Sequence, residues 1–310
     1  MFRKYDKILN KGFKLHDFKD TGLVVQEKLD GANASFTYDE ELGKLRVFSR
    51  NTELNEHNTL NGFYGYAQEF YEHVRMNLPE HQSLLGDYIF YGEWLTPHKV
   101  KYKDEALKKF YLFDMFSLED EYFLNPYAVQ KFATIFGLQT PETFKVYETE
   151  DLQETKEVVI LDNIKTFLGK SNLTVEPNKG EGIVIKSLTG KQHTHDEYYK
   201  LVTNEFKEIM GVKEKPQKPK SVSIVEYAVT PARLEKLIYK KIDEGLLSED
   251  DLTLESFNKV MGTIVQDFQD DIFEEEMETL IKTMRNQIAR QVPNLLRPFL
   301  ESKDRENSDL

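Results

Sequence analysis

The chain has 310 residues, 39% of them hydrophobic, with 21 Phe and 16 Tyr; that suits one large domain plus a smaller one and excludes wholesale disorder. It has no cysteine, which excludes a disulfide framework, a thiolate zinc site and a cysteine nucleophile. The net charge of −13 argues against a general nucleic-acid coat protein, so any contact with phosphates has to come from a local basic groove.

The opening MFRKYDKILNKGFK lacks the apolar run of a secretory signal. No segment approaches the roughly 18 uncharged apolar residues of a membrane span. The expectation is a soluble cytoplasmic protein with no membrane partner.

In chain order, LVVQEKL (23–29) and NASFTY (33–38) read as strands, and LRVFSR (45–50) returns after a turn to close a hairpin. Phe63, Tyr66, Phe70 and Val74 keep helical spacing and predict a helix over 60–78. DYIFYGEWL (87–95) and FYLFDMFS (110–117) read as aromatic-rich strands, and 126–136 and 151–168 as helices. GIVIKSL (182–188) and YYKLV (198–202) are short strands, with a helix expected at 204–210. GVKEKPQKPKS (211–221) has two prolines and almost no apolar residue, so it reads as a linker. Residues 207–220 hold five lysines against two glutamates, which is either a basic groove or a solvated linker.

Beyond it the pattern turns helical. Thr230 is an N-cap, Pro231 the first helical residue and Gly245 a stop. SEDDLTLESFNKVMGTIVQDF and EEEMETLIKTMRNQIARQV have helical periods, with Pro293 ending or kinking the second. The acidic DDIFEEEMETL reads as a solvated helix face.

The chemistry centres on QEKLDGANASF (26–36). A lysine attacks only when deprotonated, and desolvation or nearby cations can bring that about. Lys28 stands at a strand end, with Glu27 directly before it. Gly31 permits a tight turn and close approach of a ligand, and Asp30 can hold the lysine or orient a hydroxyl. Downstream, Arg50, Lys186 and Lys200 are cations that could spread over phosphates, Glu93 sits in an apolar strand, and Glu181 could hold a divalent cation through oxygen.

Together these residues resemble the lysine nucleotidyltransferase superfamily of ATP-dependent DNA ligases, RNA ligases and mRNA capping enzymes. KLDG carries Lys28 as the nucleophile, FSRN carries Arg50, FYGEWL Glu93, FYLFDM Phe113, EGIVIKS Glu181 and Lys186, and YYKLV Lys200. The resemblance implies that Lys28 attacks the α-phosphate of ATP and becomes a lysyl-AMP. It makes Phe113 the adenine-stacking ring, with Tyr111 the alternative. It implies nucleotide contacts from Glu27, Gly31, Asn33, Arg50, Glu93, Glu181, Lys186 and Lys200, and Mg²⁺ on Glu181, with Mn²⁺ as the other metal.

Two features choose within the superfamily. Asn33 stands where DNA ligases and capping enzymes usually carry Arg, and helices stand where they carry a β-barrel. Both resemble the RNA ligase 2 family, which seals nicks in duplex RNA. The implied fold is α+β: a nucleotidyltransferase domain of twisted antiparallel sheets flanked by helices (1–212), a linker (213–221) and an all-helical C-terminal domain (222–310). The implied substrate is a nicked RNA duplex in RNA repair, with an RNA/DNA hybrid as a further one, handled by a monomer. Two positions depart from that family: Asp30, where it often has His, and Val202, where its last motif usually has a second lysine. A DNA ligase or guanylyltransferase, and an inactive nucleic-acid-binding relative, are the competing readings. His193, His195 and Asp196 invite a metal site, but a polar loop is the preferred reading.

Overall fold

The computed structural model describes residues 3–8, 13–189, 198–203 and 228–308. The expected helix at 204–210, the lysine-rich stretch and linker at 207–221, and the His193–Asp196 cluster lie outside the described residues.

Two four-stranded antiparallel sheets form the centre, accompanied by helices. The first has the order β6-β1-β7-β8, with β1 Leu23–Lys28, β6 Thr143–Tyr147, β7 Gly182–Ser187 and β8 Tyr199–Val202. The second has the order β3-β2-β4-β5, with β2 Ala32–Asp39, β3 Lys44–Ser49, β4 Tyr88–Trp94 and β5 Phe110–Ser117. β2 and β3 are the hairpin expected from the sequence, paired from Ala34↔Ser49 to Asp39↔Lys44.

Strand alternation sorts the side chains. On the first sheet, Leu23, Val25, Ile183, Ile185 and Tyr199 pack with Leu152 of α4 (Thr149–Glu154) and with Ile160 and Ile164 of α5 (Glu157–Lys165). This leaves Gln26, Lys28, Val184, Lys186 and Lys200 to line the cleft. On the second sheet, Phe36, Phe90, Trp94 and Phe110 pack under α1 (Phe63–Asn77), Leu85 of the short α2 (Leu84–Asp87) and α3 (Pro126–Phe136). Phe36 and Phe90 stack at 5.0 Å. Each such buried ring is worth about 1.5–3 kcal/mol of transfer free energy.

Caps follow the sequence. α1 falls inside the expected 60–78 and buries Phe63, Ala67, Phe70 and Val74. Asn125 caps α3 by accepting from the Ala128 N–H, with Pro126 in the first turn and Gly137 in the left-handed conformation at the end. Thr230 caps α6 (Pro231–Asp243) by accepting from the Arg233 N–H, and Gly245 follows at φ 71°.

Three expectations are corrected. The helix expected over 151–168 is two helices, α4 and α5. The two long C-terminal helical periods are one helix, α7 (Phe257–Ser308), which runs through Pro293 and Pro298. No Gly or Pro interrupts residues 263–292, so nothing local stops it, and each proline removes only one N–H from the ladder. The acidic stretch is solvated only in part: Asp270, Glu274 and Glu278 are exposed. Asp271, Glu275 and Glu276 are buried. Arg233, fully buried on α6, pairs with Asp271 and Glu276, and Lys7 with Asp271 and Glu274. Burial of like charges is tolerated there because cations from elsewhere in the chain meet them.

Candidate active site

A cleft between the two sheets gathers most of the residues singled out in the sequence. Lys28, Gly31, Asn33, Arg50, Glu93, Phe113, Glu181, Lys186 and Lys200 all line it, and Glu27 borders it.

Lys28 ends β1 opposite Gly182 of β7, and its Nζ donates to Glu181 Oε2 at 2.5 Å. Burial alone would lower the pKa of this amine, but the carboxylates of Glu181 and Glu93 outweigh it and hold the pKa above the ordinary lysine value. Burial pushes Glu181 up to about 7, with Lys28 opposing. Glu93 is likewise raised by burial against the pull of Lys28. Lys28 is therefore an ammonium bonded to Glu181 and within the field of Glu93.

The loop after Lys28 is built tightly. Glu93 Oε1 accepts from the Gly31 N–H at 3.0 Å. A Cβ on Gly31 would lie 2.6 Å from the Trp94 carbonyl oxygen, so only glycine fits. Asp30 pairs with groups other than Lys28: its Oδ2 accepts from the Val100 N–H at 2.8 Å and its Oδ1 lies 3.5 Å from His98 Nδ1. Burial would raise the Asp30 pKa, but His98 and the Val100 N–H hold it below the ordinary value. Asn33 pairs in register with Glu93, so both side chains emerge on one face of the second sheet.

Lys186 is buried beneath the cleft. Its Nζ donates to the Phe113 carbonyl oxygen at 2.6 Å, lies 3.4 Å from Asp114 Oδ2 and sits 5.4 Å from the Phe113 ring centroid. Burial lowers the Lys186 pKa, and Asp114 resists that shift. Tyr5 and Tyr198 donate further hydrogen bonds to Asp114. Lys200 on β8 donates to Glu275 Oε2 of α7 at 2.9 Å.

Phe113 and Tyr111 part company. The β4–β5 ladder steps from Gly92↔Leu112 to Tyr91↔Asp114 and skips Phe113. Phe113 is half-buried and lines the cleft. Tyr111 is buried among Leu29, Leu95, Val100 and Tyr102 and donates to the Ala106 carbonyl, and it is not among the residues lining the cleft. Glu27 is 2% exposed, and neither carboxylate oxygen has a hydrogen-bond partner. Its burial pushes it up to about 7, which a nearby Ser171 hydroxyl offsets only in part.

Sequence reasoning missed Asp114, His98, Asp243 and Glu275. Asp114 carried a usable signal, an acid inside the apolar FYLFDMFS, which is the argument that picked out Glu93. The other three are partners that only the tertiary fold brings together.

A protein-family model described as RNA ligase matches residues 21–202. That is more than half of the chain, and the chain belongs to the RNA ligase family. Among solved structures it is similar to Naegleria gruberi RNA ligase with PPi, at 22% identity and a TM-score of 0.43, over 61% of this chain and 51% of that one. A variant of the same ligase with AMP and Mn aligns at 21% identity and a TM-score of 0.44, over 66% and 56% of the two chains. A variant with ATP and Mn gives 20% and 0.43, over the same shares. This chain thus spans about half the length of the solved ligase it matches. No curated protein matches it.

Proposed function

We propose that this chain is an ATP-dependent RNA ligase that joins 3′-hydroxyl and 5′-phosphate ends, with Lys28 as the nucleophile of a covalent lysyl-AMP. The observation that carries the reading is Lys28 Nζ bonded to Glu181 in a cleft that also presents Glu93, Arg50, Lys186 and Phe113.

In the first step Lys28 passes a proton by way of its Glu181 partner to water, its nitrogen bonds to the α-phosphorus of ATP, and the bond to the bridging oxygen breaks. Pyrophosphate leaves with the electron pair. Arg50, Lys186 and Lys200 stabilise the charge that develops on the phosphates. Phe113 offers the purine a stacking face worth about 1–3 kcal/mol. Glu93 keeps one oxygen on the Gly31 N–H and can turn the other to a ribose hydroxyl. In the second step the AMP passes to an RNA 5′-phosphate, and in the third a 3′-hydroxyl displaces it.

The carboxylate of Glu181 offers oxygen donors, which suit a hard cation. Among the described residues no cluster of three or more metal-ligating side chains forms, and a cation that takes phosphate and water oxygens needs none. Mg²⁺, or Mn²⁺ in its place, would be held by Glu181 and would neutralise charge on the triphosphate.

Asn33 on the cleft face favours a nick in duplex RNA, or in an RNA/DNA hybrid, over the DNA ligase and guanylyltransferase readings. The proposed division is a nucleotidyltransferase domain to residue 212 and a helical domain from 222, acting as a monomer. The test is incubation with α-labelled ATP or GTP, followed by sealing of nicked duplexes with RNA or DNA strands. Labelling from ATP and preferential sealing of RNA support the reading; labelling from GTP, or equal sealing of DNA, overturns it.

A further inference from the structure

Helix α6 brings Lys236, Leu237 and Tyr239 to the lining of the same cleft that holds Lys28. The Lys236 side chain is 45% exposed, and its Nζ lies 3.7 Å from Glu275 Oε1. The other Glu275 oxygen takes Lys200 Nζ at 2.9 Å and lies 3.9 Å from Arg233 Nη1. One carboxylate, 8% exposed, thus gathers cations from β8 and α6. Burial would raise its pKa, but Lys236 and Lys200 hold it well below the ordinary carboxylate range. The field of Lys236 also reaches Lys28 and Glu181.

This is the geometry of an anion site occupied by an internal anion. Non-bridging phosphate oxygens accept from lysines at about the distance Lys200 keeps here and carry more charge than one carboxylate, enough to draw the more loosely paired Lys236 in as well. On β8, Lys200 is the sole lysine, since position 202 is valine, so a second cation has to come from another element.

We propose that Lys236 is a phosphate-binding residue of the nucleotide site, gripping with Lys200 the phosphates of ATP that leave as pyrophosphate, while Glu275 occupies the two lysines until those phosphates displace it. The proposal rests on the reading of Lys28 as the ATP-dependent nucleophile. The same chemistry could serve an RNA 5′-phosphate, and the assays below separate the two sources.

The full chain and its Lys236→Ala, Lys236→Arg and Glu275→Gln variants are labelled with α-labelled ATP over a range of concentrations. Each is then given a pre-adenylylated nicked RNA without ATP. Lys236→Ala is expected to need about tenfold more ATP for half-maximal labelling, the loss of roughly one charge-assisted contact. Lys236→Arg should keep most of the parent's ATP use, and Glu275→Gln should need less ATP than the parent. Sealing of the pre-adenylylated nick by Lys236→Ala should fall far less than its labelling. Lys236→Ala labelling like the parent at every ATP concentration overturns the proposal. So does a variant that labels normally but fails on the pre-adenylylated nick, since Lys236 would then serve the RNA. If Glu275→Gln does not fold, Lys236→Ala alone decides. A parent that takes no label overturns the underlying reading and this proposal with it.

Discussion

His98 Nε2 lies 2.7 Å from Asp243 Oδ2, across 145 residues of chain. The other ring nitrogen faces Asp30 in the loop that follows Lys28, and Tyr239 stacks on the imidazole at 5.3 Å. One side chain therefore ties the nucleophile loop to helix α6. Burial would lower the pKa of His98, but Asp243 and Asp30 raise it from 6.5 to about 10.

The sign of the linkage follows. A group whose folded pKa is raised adds stability that is complete below its unfolded pKa and is lost as pH rises through the folded value. The parent should exceed His98→Gln in stability by a few kcal/mol, order of magnitude, near pH 6. That margin should shrink between about pH 6.5 and pH 10. Urea midpoints of both proteins across this range check it; a constant difference would contradict the ion-pair account.

Lys186 and Asp114 are both buried. Asp114→Ala leaves an ammonium with only a carbonyl partner and two tyrosines, and should cost about 3–5 kcal/mol. The double variant Asp114→Ala/Lys186→Met should recover part of that loss. Thermal unfolding of the three proteins measures it, and a double variant less stable than Asp114→Ala would count against the pairing.

Phe113→Ala should raise the ATP concentration for half-maximal labelling by about 1–3 kcal/mol equivalent, since the stacking face is gone. Tyr111→Leu, which removes the ring, should leave ATP use unchanged and cost about 1–3 kcal/mol of stability through the lost packing and the lost bond to the Ala106 carbonyl. Labelling titrations separate the two. The opposite ranking would return the stacking role to Tyr111.

Gly31→Ala would push a methyl against the Trp94 carbonyl and Glu93. Overpacking of this kind costs about 1–3 kcal/mol and here displaces the loop that carries the nucleophile. Labelling should fall by more than tenfold (about 1.4 kcal/mol) while the fold, followed by circular dichroism, survives. Unchanged labelling would show that the loop tolerates the shift.

Glu93 was legible on its own because an acid interrupts an apolar strand, where an unpartnered charge is costly; Lys28, Lys186 and Lys200 were legible only through the motifs they share with the nucleotidyltransferases, since each alone reads as a surface charge. Phe113 and Tyr111 could not be ranked, because the bulge that skips Phe113 breaks the alternation the sequence implies. Strand β6, TFKVY, does alternate polar and apolar residues, but over only five positions, too short a run to stand out in the sequence. The acidic face of α7 looked solvated because its partners, Lys7, Lys200 and Arg233, lie far away in sequence.

The central claim is that Lys28 is the adenylylated nucleophile. Incubation of the full chain with Mg²⁺ and ATP, followed by peptide mass spectrometry, should place AMP on the peptide containing Lys28, and Lys28→Ala should carry none. A Lys28→Ala protein that takes up AMP as readily as the parent, or an adduct on any other residue, would contradict the account.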